Sequence, residues 1–345
     1  VVGKLWLGKY QSGITRCIVI IFGAIKSLFP VPGLIKTMSI SISRTSKKRA
    51  IFTIFFLSCW MNTAFAQDTE PRRWAQIPTG VNFAGGAYGY VDGDIIFDPV
   101  LQIEDATFEM HRAGLFYMRT LGVMGKSARL DFTLPYIAGR WEGTVDGEFV
   151  KFRRRGAGDA RMRFSMLLYG GPAETPQEFA KSEKSNTVVG AAVAVTIPTG
   201  KYNGDRLINM GANRWVLRPQ IGVTHSRGKW TGELTGSVFL YEDNEKFWQD
   251  TKLETDPLFA FQAHLIYTFR PGLWTSLSTA YGWGGEATVN GDAKNNPSGN
   301  WLTALSFGFP ITRKQGIKLA WIWGRTQKPT GADIDSVALA YSVMF

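Results

Sequence analysis

After Gln67 the chain consists of short segments in which apolar and polar residues alternate, and this pattern constrains the fold more than any other feature. The last strand shows it most clearly: one series is Val337, Leu339, Tyr341, Val343 and Phe345, and the intervening series is Ser336, Ala338, Ala340 and Ser342. Side chains of a β-strand point alternately to opposite faces, so the pattern predicts strands with one apolar and one more polar face. A water-soluble sandwich and a membrane barrel both fit such strands.

The number of segments and the lengths of their connections favour the barrel. Twelve strands are predicted, at about 80–90, 108–122, 127–141, 159–169, 187–198, 214–226, 230–240, 257–270, 273–283, 300–310, 316–324 and 336–345. Connections after even-numbered strands are mostly tight, and those after odd-numbered strands are long and rich in Gly, Asp and Asn, as at 143–158 and 199–213. This arrangement predicts an all-β, antiparallel, up-and-down transmembrane β-barrel of about twelve strands, closed, with both termini periplasmic.

One connection and one strand leave questions open. The connection 170–186 is long although it follows an even-numbered strand, and its residues 176–181 are predicted to form a short periplasmic helix. In the strand at 108–122, either His111 or Arg112 must lie beside apolar neighbours, so its register stays ambiguous.

The prediction of a membrane barrel depends on the need to satisfy backbone hydrogen bonds. No run of 18 apolar residues follows Gln67, and a chain inside hydrocarbon must pair its peptide groups within helices or a closed barrel. A strand of about ten residues, with a rise of roughly 3.4 Å per residue and a tilt of about 45°, covers roughly 24 Å of membrane. Aromatic residues near strand ends are expected in the two interfacial girdles: Trp215, Trp230, Trp274, Tyr281, Trp283, Trp301, Trp321 and Trp323.

The first 66 residues differ in charge from the rest. They contain nine Lys or Arg and no Asp or Glu, which leaves 30 basic and 28 acidic residues in 67–345. The overall charge of +11 therefore gives no reason to expect nucleic-acid binding. Basic residues after Met38, an apolar run from Ala50 to Met61 and Ala-Phe-Ala at 64–66 predict a secretory signal peptide over 38–66.

The expected organisation is therefore an upstream or non-native extension at 1–37, a cleaved signal at 38–66, and an outer-membrane barrel at 67–345. Both cysteines, Cys17 and Cys59, precede the barrel, so the mature chain is expected to have no disulfide, thiolate metal site or Cys nucleophile. The protein is expected to lie in the cell outer membrane, where the surrounding lipid is its partner.

Motifs that carry chemistry are weak in this sequence. Gly122-Val123-Met124-Gly125-Lys126-Ser127 has glycines too close together for a phosphate-binding loop, and a tight turn explains it better. The three histidines, His111, His225 and His264, have no metal-ligand spacing. We expect no metal, no cofactor and no catalytic residue. A hydrolase remains a minor alternative, and it would need Ser, His and a carboxylate or amide within hydrogen-bond reach.

Charged and polar side chains on the predicted inward registers are the most informative set. An Arg or Lys facing lipid at midplane costs about 2–4 kcal/mol, so these side chains are expected to face the lumen. The pore-lining candidates are Arg129, Asp131, Arg140, Asp159, Arg161, Arg163, Arg218, Gln220, Glu233, Gln262, His264 and Lys318. They either line a water-filled passage or pair off and fill the interior.

Several runs resemble a known family. They are 90–99 (YVDGDIIFDP), 134–136 (LPY), 156–159 (GAGD), 198–202 (PTGKY), 209–215 (NMGANRW) and 262–272 (QAHLIYTFRPG). In this order they resemble the outer-membrane transporter family named after the meta-cleavage pathway of phenol degradation, over nearly all of 80–345. The resemblance implies an outer-membrane barrel that passes aromatic or other small compounds, and it supplies no catalytic residues.

The leading hypothesis is a channel or facilitator for small organic compounds, aromatic or hydrophobic ones included, which diffuse through a polar, Arg-lined lumen. The alternative is a plugged structural or interaction barrel that acts through its outer loops. In either case, Tyr341, Val343 and Phe345 are expected to form the signal that the barrel-assembly machinery recognises in the C-terminal strand.

Overall fold

The structure is a computed structural model that describes residues 69–96, 103–145, 147–206 and 208–345. The predicted extension at 1–37 and signal at 38–66 lie outside the described residues. The strands are β1 (Asn82–Ile96), β2 (Ile103–Val123), β3 (Lys126–Val145), β4 (Glu148–Ala157), β5 (Ala160–Tyr169), β6 (Thr187–Ile197), β7 (Val216–Arg227), β8 (Trp230–Tyr241), β9 (Leu253–Thr255), β10 (Leu258–Arg270), β11 (Leu273–Gly284), β12 (Ala287–Val289), β13 (Asp292–Ala293), β14 (Ser298–Pro310), β15 (Gln315–Thr326) and β16 (Gly331–Met344).

Twelve of these strands form a closed antiparallel barrel, which confirms the predicted fold. The order around the barrel is β1, β2, β3, β5, β6, β7, β8, β10, β11, β14, β15 and β16, and β16 pairs with β1 to close it. At the seam, the Phe345 N–H donates to the Asn82 carbonyl oxygen at 2.9 Å and the Asn82 N–H donates to the Phe345 carbonyl oxygen at 3.0 Å. Every strand in the barrel therefore has a partner on both sides, and no barrel edge is left open.

Short turns at 124–125, 228–229, 271–272 and 311–314 lie at the same end of the barrel as Asn82 and Phe345. We refer to this end as the turn end and to the opposite end as the loop end. The helix α1 (Pro176–Lys181) lies in a connection at the turn end, as predicted, and begins with a capping box between Thr175 and Glu178. No helix in the described part of the chain has the length and apolar content needed to cross a bilayer.

The long connection predicted at 143–158 is in large part a strand. β3 continues to Val145 and pairs with β4, so the two form a hairpin that extends the barrel wall at the loop end. Charged residues, among them Arg153, Arg154 and Arg155, occupy β4. Their density hid the alternation that predicts a strand, because both faces of β4 carry polar side chains at these positions.

The register of β2 is resolved by exposure. Leu115 and Tyr117 are exposed, so His111, which shares their register, points outward and Arg112 points inward. The His111 ring lies against Tyr90, with ring centroids 5.3 Å apart, and its Nδ1 is 2.6 Å from the Tyr88 hydroxyl. These neighbours satisfy the imidazole on the outer face.

The loop end contains a buried apolar cluster. Phe108, Met110 and Trp141 point inward from β2 and β3, and Ile208, Phe247, Leu253 and Ala287 reach the same cluster from the outer connections. The strands β9, β12 and β13 form a separate small sheet among these connections. Burial of this apolar surface stabilises the packing of the outer connections on the barrel.

Candidate functional site: the barrel interior

The two faces of the wall are told apart by alternation of exposure along each strand. On β3, Leu130, Phe132 and Leu134 are exposed, whereas the intervening Arg129 and Asp131 are largely covered. Because the sheet closes on itself, the covered series lines the inside. The exposed apolar series forms the outer surface, as expected of a wall that faces lipid.

A segment that the sequence analysis did not single out lies inside this wall. We call residues 69–80 the N-terminal segment. Its Trp74 is fully buried, and the Trp74 Nε1–H donates to Thr235 Oγ1 at 2.8 Å. The indole occupies the space left by two glycines, since a Cβ on Gly190 would lie 2.2 Å from Trp74 Cε3 and one on Gly222 would lie 2.0 Å from Nε1.

Arg73 attaches the same segment to both sides of the wall. Its backbone N–H donates to Glu233 Oε1 at 3.0 Å, and its Nη1 donates to Asp131 Oδ2 at 3.2 Å. Its Nη2 donates to Ser165 Oγ. The guanidinium is almost completely buried, and such a charge is tolerated inside a protein when carboxylates and hydroxyls surround it.

Glu70 forms ion pairs with two arginines of β5. The Arg163 Nη1 donates to Glu70 Oε2 at 2.7 Å, and the Arg161 Nη2 lies 3.5 Å from Glu70 Oε1. Burial alone raises the pKa of Glu70, but the positive charges of Arg163, Arg161, Arg218 and Arg129 together outweigh burial and hold that pKa well below its ordinary value. Glu70 is therefore a carboxylate at neutral pH.

Most of the twelve candidates predicted to line the pore lie on the inward series, and many already have protein partners. Asp131 Oδ2 lies 3.5 Å from Arg129 Nε and accepts from Arg163 Nε at 3.3 Å. Arg218 donates to Ser237 Oγ from both Nε and Nη2, at 3.3 and 3.2 Å, and stacks 4.3 Å from the Phe239 ring centroid. The remaining inward candidates are Gln220, Glu233, Gln262, His264 and Lys318, on β7, β8, β10 and β15.

Arg140 is a correction, because it does not share the inward register. It follows Leu134 and Tyr136 in the exposed series of β3, whose pairing with β2 has no register shift between Thr107 and Val123. Its Nη2 donates to Glu109 Oε1 at 3.0 Å, and its Nε lies 3.7 Å from Glu142 Oε2. The prediction failed because Arg140 lies close to the loop end, where an outward-facing Arg is not held in hydrocarbon.

Asp159 points inward, and its carboxylate anchors the connection between β6 and β7. Its Oδ1 accepts from the Gly200 N–H at 2.8 Å and its Oδ2 accepts from the Ala212 N–H at 2.7 Å. Burial raises the pKa of the Asp159 carboxyl, and the two N–H donors oppose that effect. A Cβ on Gly200 would lie 2.7 Å from the Gly211 Cα. The runs 156–159, 198–202 and 209–215 therefore meet at one point.

Trp274 is a second correction. It was predicted in an interfacial girdle, but it points inward and packs on Gly308, where an added Cβ would lie 2.1 Å from its Nε1. The Arg72 guanidinium carbon lies 5.6 Å from the centroid of its ring. By contrast, Trp215, Trp230 and Trp321 are exposed on the outer surface.

A cavity of about 520 Å³ lies at the turn end, lined by residues of β1, β2, β3, β14, β15 and β16 together with Arg163 of β5 and Trp274 of β11. The N-terminal segment contacts β3, β5, β6, β7 and β8. Two of its partners, Asp131 and Arg163, also line the cavity. Charged groups that line the cavity are Asp131, Arg163, Lys318, Arg313 and Lys314. Phe116 and Met118 are among its apolar neighbours.

Several buried polar atoms of the inner wall have no hydrogen-bond partner within the described protein. They include both ring nitrogens of His264 and the hydroxyls of Ser276, Ser278 and Ser306. Groups of this kind are costly to bury without a partner.

The pairing register brings Glu233, His264 and Ser278 into one row across β8, β10 and β11. Neither ring nitrogen of His264 donates to or accepts from the other two side chains, so the hydrogen-bonded chain that a Ser hydrolase needs is not formed. His225 instead meets Thr187 on the outer face, with Nδ1 and Oγ1 2.9 Å apart. In the described ranges, no group of three His, Cys, Asp or Glu side chains has an arrangement that would hold a metal ion.

The contribution of the N-terminal segment was missed because it has no periodic pattern. Its signal in the sequence was a single Trp beside Glu70, Arg72 and Arg73, between the predicted leader and the first strand. The apolar cluster at the loop end was missed for a related reason, because Ile208, Phe247 and Leu253 occur singly in connections otherwise rich in polar residues. Only the tertiary contacts reveal either group.

Solved structures share this architecture. The chain is similar to the COG4313 outer membrane channel from Pseudomonas putida F1, with 21% identity, 81% of this chain and 100% of that chain covered, and a TM-score of 0.66. It is also similar to the transport unit of the autotransporter AIDA-I from Escherichia coli, with 10% identity, coverage of 84% and 98%, and a TM-score of 0.50. These likenesses show that the fold is that of an outer-membrane β-barrel.

Among curated proteins, none matches the sequence. The family model described as "Putative MetA-pathway of phenol degradation" matches residues 93–332, which is more than half of the chain and agrees with the resemblance found in the sequence. The chain therefore belongs to this family.

Proposed function

We propose that the protein is an outer-membrane channel that lets small organic compounds diffuse through the barrel, and that the N-terminal segment closes the turn end when it is docked. The observation that carries the proposal is the cavity of about 520 Å³ beside the docked segment. A cavity of this size is comparable to the sites that hold drug-sized molecules, roughly 300–1,000 Å³.

The charges around the cavity favour anions. Arg163, Lys318, Arg313 and Lys314 line it together with a single carboxylate, Asp131. A passage with excess positive charge raises the local concentration of anionic solutes. Aromatic carboxylates and phenolates, which combine a flat apolar ring with a negative group, fit both the arginines and the neighbouring Phe116.

A continuous passage requires the N-terminal segment to leave the turn end and the apolar cluster at the loop end to separate. The segment is held by ion pairs and by one buried Trp, and not by pairing as a strand of the barrel. Its contacts are therefore local, and it is able to leave the wall while the twelve strands stay paired. The docked state is the closed state in this proposal.

The experiment is conductance of the mature chain, from Gln67, in planar bilayers. Ile77→Cys and Ser127→Cys are introduced together, because the two residues are neighbours joined by the hydrogen bond from Ser127 Oγ to the Ile77 carbonyl oxygen. Mass spectrometry without reductant first establishes that the disulfide forms. We expect low conductance after oxidation and frequent openings after reduction, with reversal potentials that indicate anion preference. The two single Cys variants serve as controls and should not respond to the oxidant.

Absence of conductance and of solute flux in the reduced protein would contradict the channel. That result would support the second candidate, a closed barrel that acts through its outer loops. The ion pairs of Glu70, Arg163, Asp131 and Arg73 and the apolar cluster at the loop end favour this candidate, since both fill interior space. Solute flux through the intact reduced protein distinguishes the two, because a closed barrel should pass none.

Export and assembly belong to the same proposal. We infer that residues 38–66 are cleaved as a signal peptide, that residues 1–37 are not part of the mature protein, and that both chain ends face the periplasm. The C-terminal strand, with Tyr341, Val343 and Phe345 on its outward series, would be recognised by the barrel-assembly machinery. Phe345→Asp should lower the amount of folded protein in the outer membrane, measured as the band that migrates fast in unheated SDS gels.

A further inference from the structure

The outer face of the β3–β4 hairpin carries cations just above the lipid-facing surface. Lys151, Arg153 and Arg155 occupy alternate positions of β4, are exposed and point outward. We call these three residues the basic row. Alternate residues of a strand are about 7 Å apart, so the row extends over roughly 14 Å along the outside of the wall.

The pairing register gives the height of the basic row. Tyr136 of β3, exposed on the outer surface, pairs with Ala157 of β4, and Arg155 is the next outward residue of β4 toward the loop end. Leu134 lies one outward position below Tyr136 and is also exposed. Tyr is typical of the boundary between hydrocarbon and headgroups, so the row begins at headgroup level.

Protein carboxylates neutralise only part of this surface. Glu142 lies 3.0 Å from Lys151 Nζ, and Glu109 accepts from Arg140, which pairs with Arg153 across the hairpin. Within the described part of the chain, Arg153 and Arg155 have no carboxylate within ion-pair distance. Two exposed guanidinium groups, fixed on a strand and adjacent to the lipid surface, are suited to bidentate contacts with phosphate.

We propose that the basic row binds the phosphate groups of a phosphorylated glycolipid in the outer leaflet, and that this contact fixes the depth of the barrel in the membrane. The occupant is argued from two features: the continuity of the row with the apolar outer surface, which would hold the acyl chains, and the positive charge, which matches the phosphates. The inference rests on the proposed orientation, with the turn end in the periplasm, and does not depend on whether the barrel conducts.

The test measures binding of diphosphoryl lipid A to the full mature chain in detergent by native mass spectrometry. Arg153→Gln with Arg155→Gln should weaken binding about 30-fold, since each cation near an anionic lipid surface contributes about 1 kcal/mol. The matched control is Arg119→Gln with Arg227→Gln, two exposed outward cations at the turn end, and it should stay within about twofold of the original protein. The SDS-gel shift on heating confirms that both pairs fold.

Two further measurements distinguish phosphate on a lipid from free inorganic phosphate as the ligand. Dephosphorylated lipid A should bind no better to the original protein than to the Arg153/Arg155 variant, and millimolar inorganic phosphate should not displace diphosphoryl lipid A. Equal weakening in both variant pairs would overturn the proposal, as would tight binding of dephosphorylated lipid A or displacement by inorganic phosphate.

Discussion

At the scale of single residues, the interior depends on the absence of side chains as much as on their presence. Trp74 is fully buried only because Gly190 and Gly222 leave room for its indole. A Trp that packs on glycines in this way acts as an anchor, because any added atom on the wall competes for the same space.

Gly190→Ala should loosen the docked segment, since the three atoms nearest to its Cβ would all belong to the Trp74 ring, the nearest at 2.2 Å. Overpacking of this kind costs about 1–3 kcal/mol, which corresponds to a roughly 5- to 150-fold shift toward the undocked state. Open probability in planar bilayers measures the effect. Gly236→Ala is the control, because nothing lies within 4 Å of its Cβ. Identical open probabilities for the two variants would contradict the anchor role.

At the scale of elements, the connections at the loop end are ordered by buried polar anchors. Asp159 joins the start of β5 to the connection 198–215, and Asn244 joins that connection to the next one, with its Oδ1 accepting from Asn213 Nδ2 at 2.8 Å and its Nδ2 donating to Ala212 O at 3.3 Å. Their side-chain hydrogen bonds order connections that lack the repeated backbone pairing of strands. The loop end is therefore a packed cap and not a set of independent loops.

Asp159→Ala should release this connection while the barrel stays folded. Each hydrogen bond from an amide to a carboxylate contributes about 1.5–3 kcal/mol, so the local opening free energy should fall by at least about 1.5 kcal/mol. Hydrogen exchange at the Gly200 and Ala212 amides is the measurement, and both should exchange faster. Asp205→Ala, which changes an exposed carboxylate of the same connection, should leave both amides unchanged; equal acceleration in the two variants would refute the anchor.

At the scale of the whole molecule, the docked segment is coupled to pH through Glu70. The arginine charges lower the pKa of Glu70 in the docked state, so the carboxylate form favours docking. For a lowered pKa, the stabilisation is fully present above the pKa of the undocked carboxyl, about 4.3, and is lost as the pH falls below that value.

The contribution of Glu70 to the open probability should therefore be constant from about pH 8 to 5. The open probability should rise as the pH falls below about 4. Glu70→Gln should raise the open probability at neutral pH and flatten the acidic rise, because the group that titrates is gone. Bilayer recordings of both proteins across this range provide the measurement. An unchanged acidic rise in Glu70→Gln would assign the pH response to another group.

The sequence by itself determined the wall of this protein, because period-two alternation and the spacing of the turns are local properties that a strand imposes on its own residues. It predicted the twelve strands, the helix at 176–181 and the inward series that includes Arg163 and Arg218. The tertiary structure alone decided what fills the wall. Docking of Trp74, pairing of Glu70 with Arg163 and the position of Arg140 outside the lumen depend on contacts and registers between residues far apart in the chain, and no local pattern encodes those.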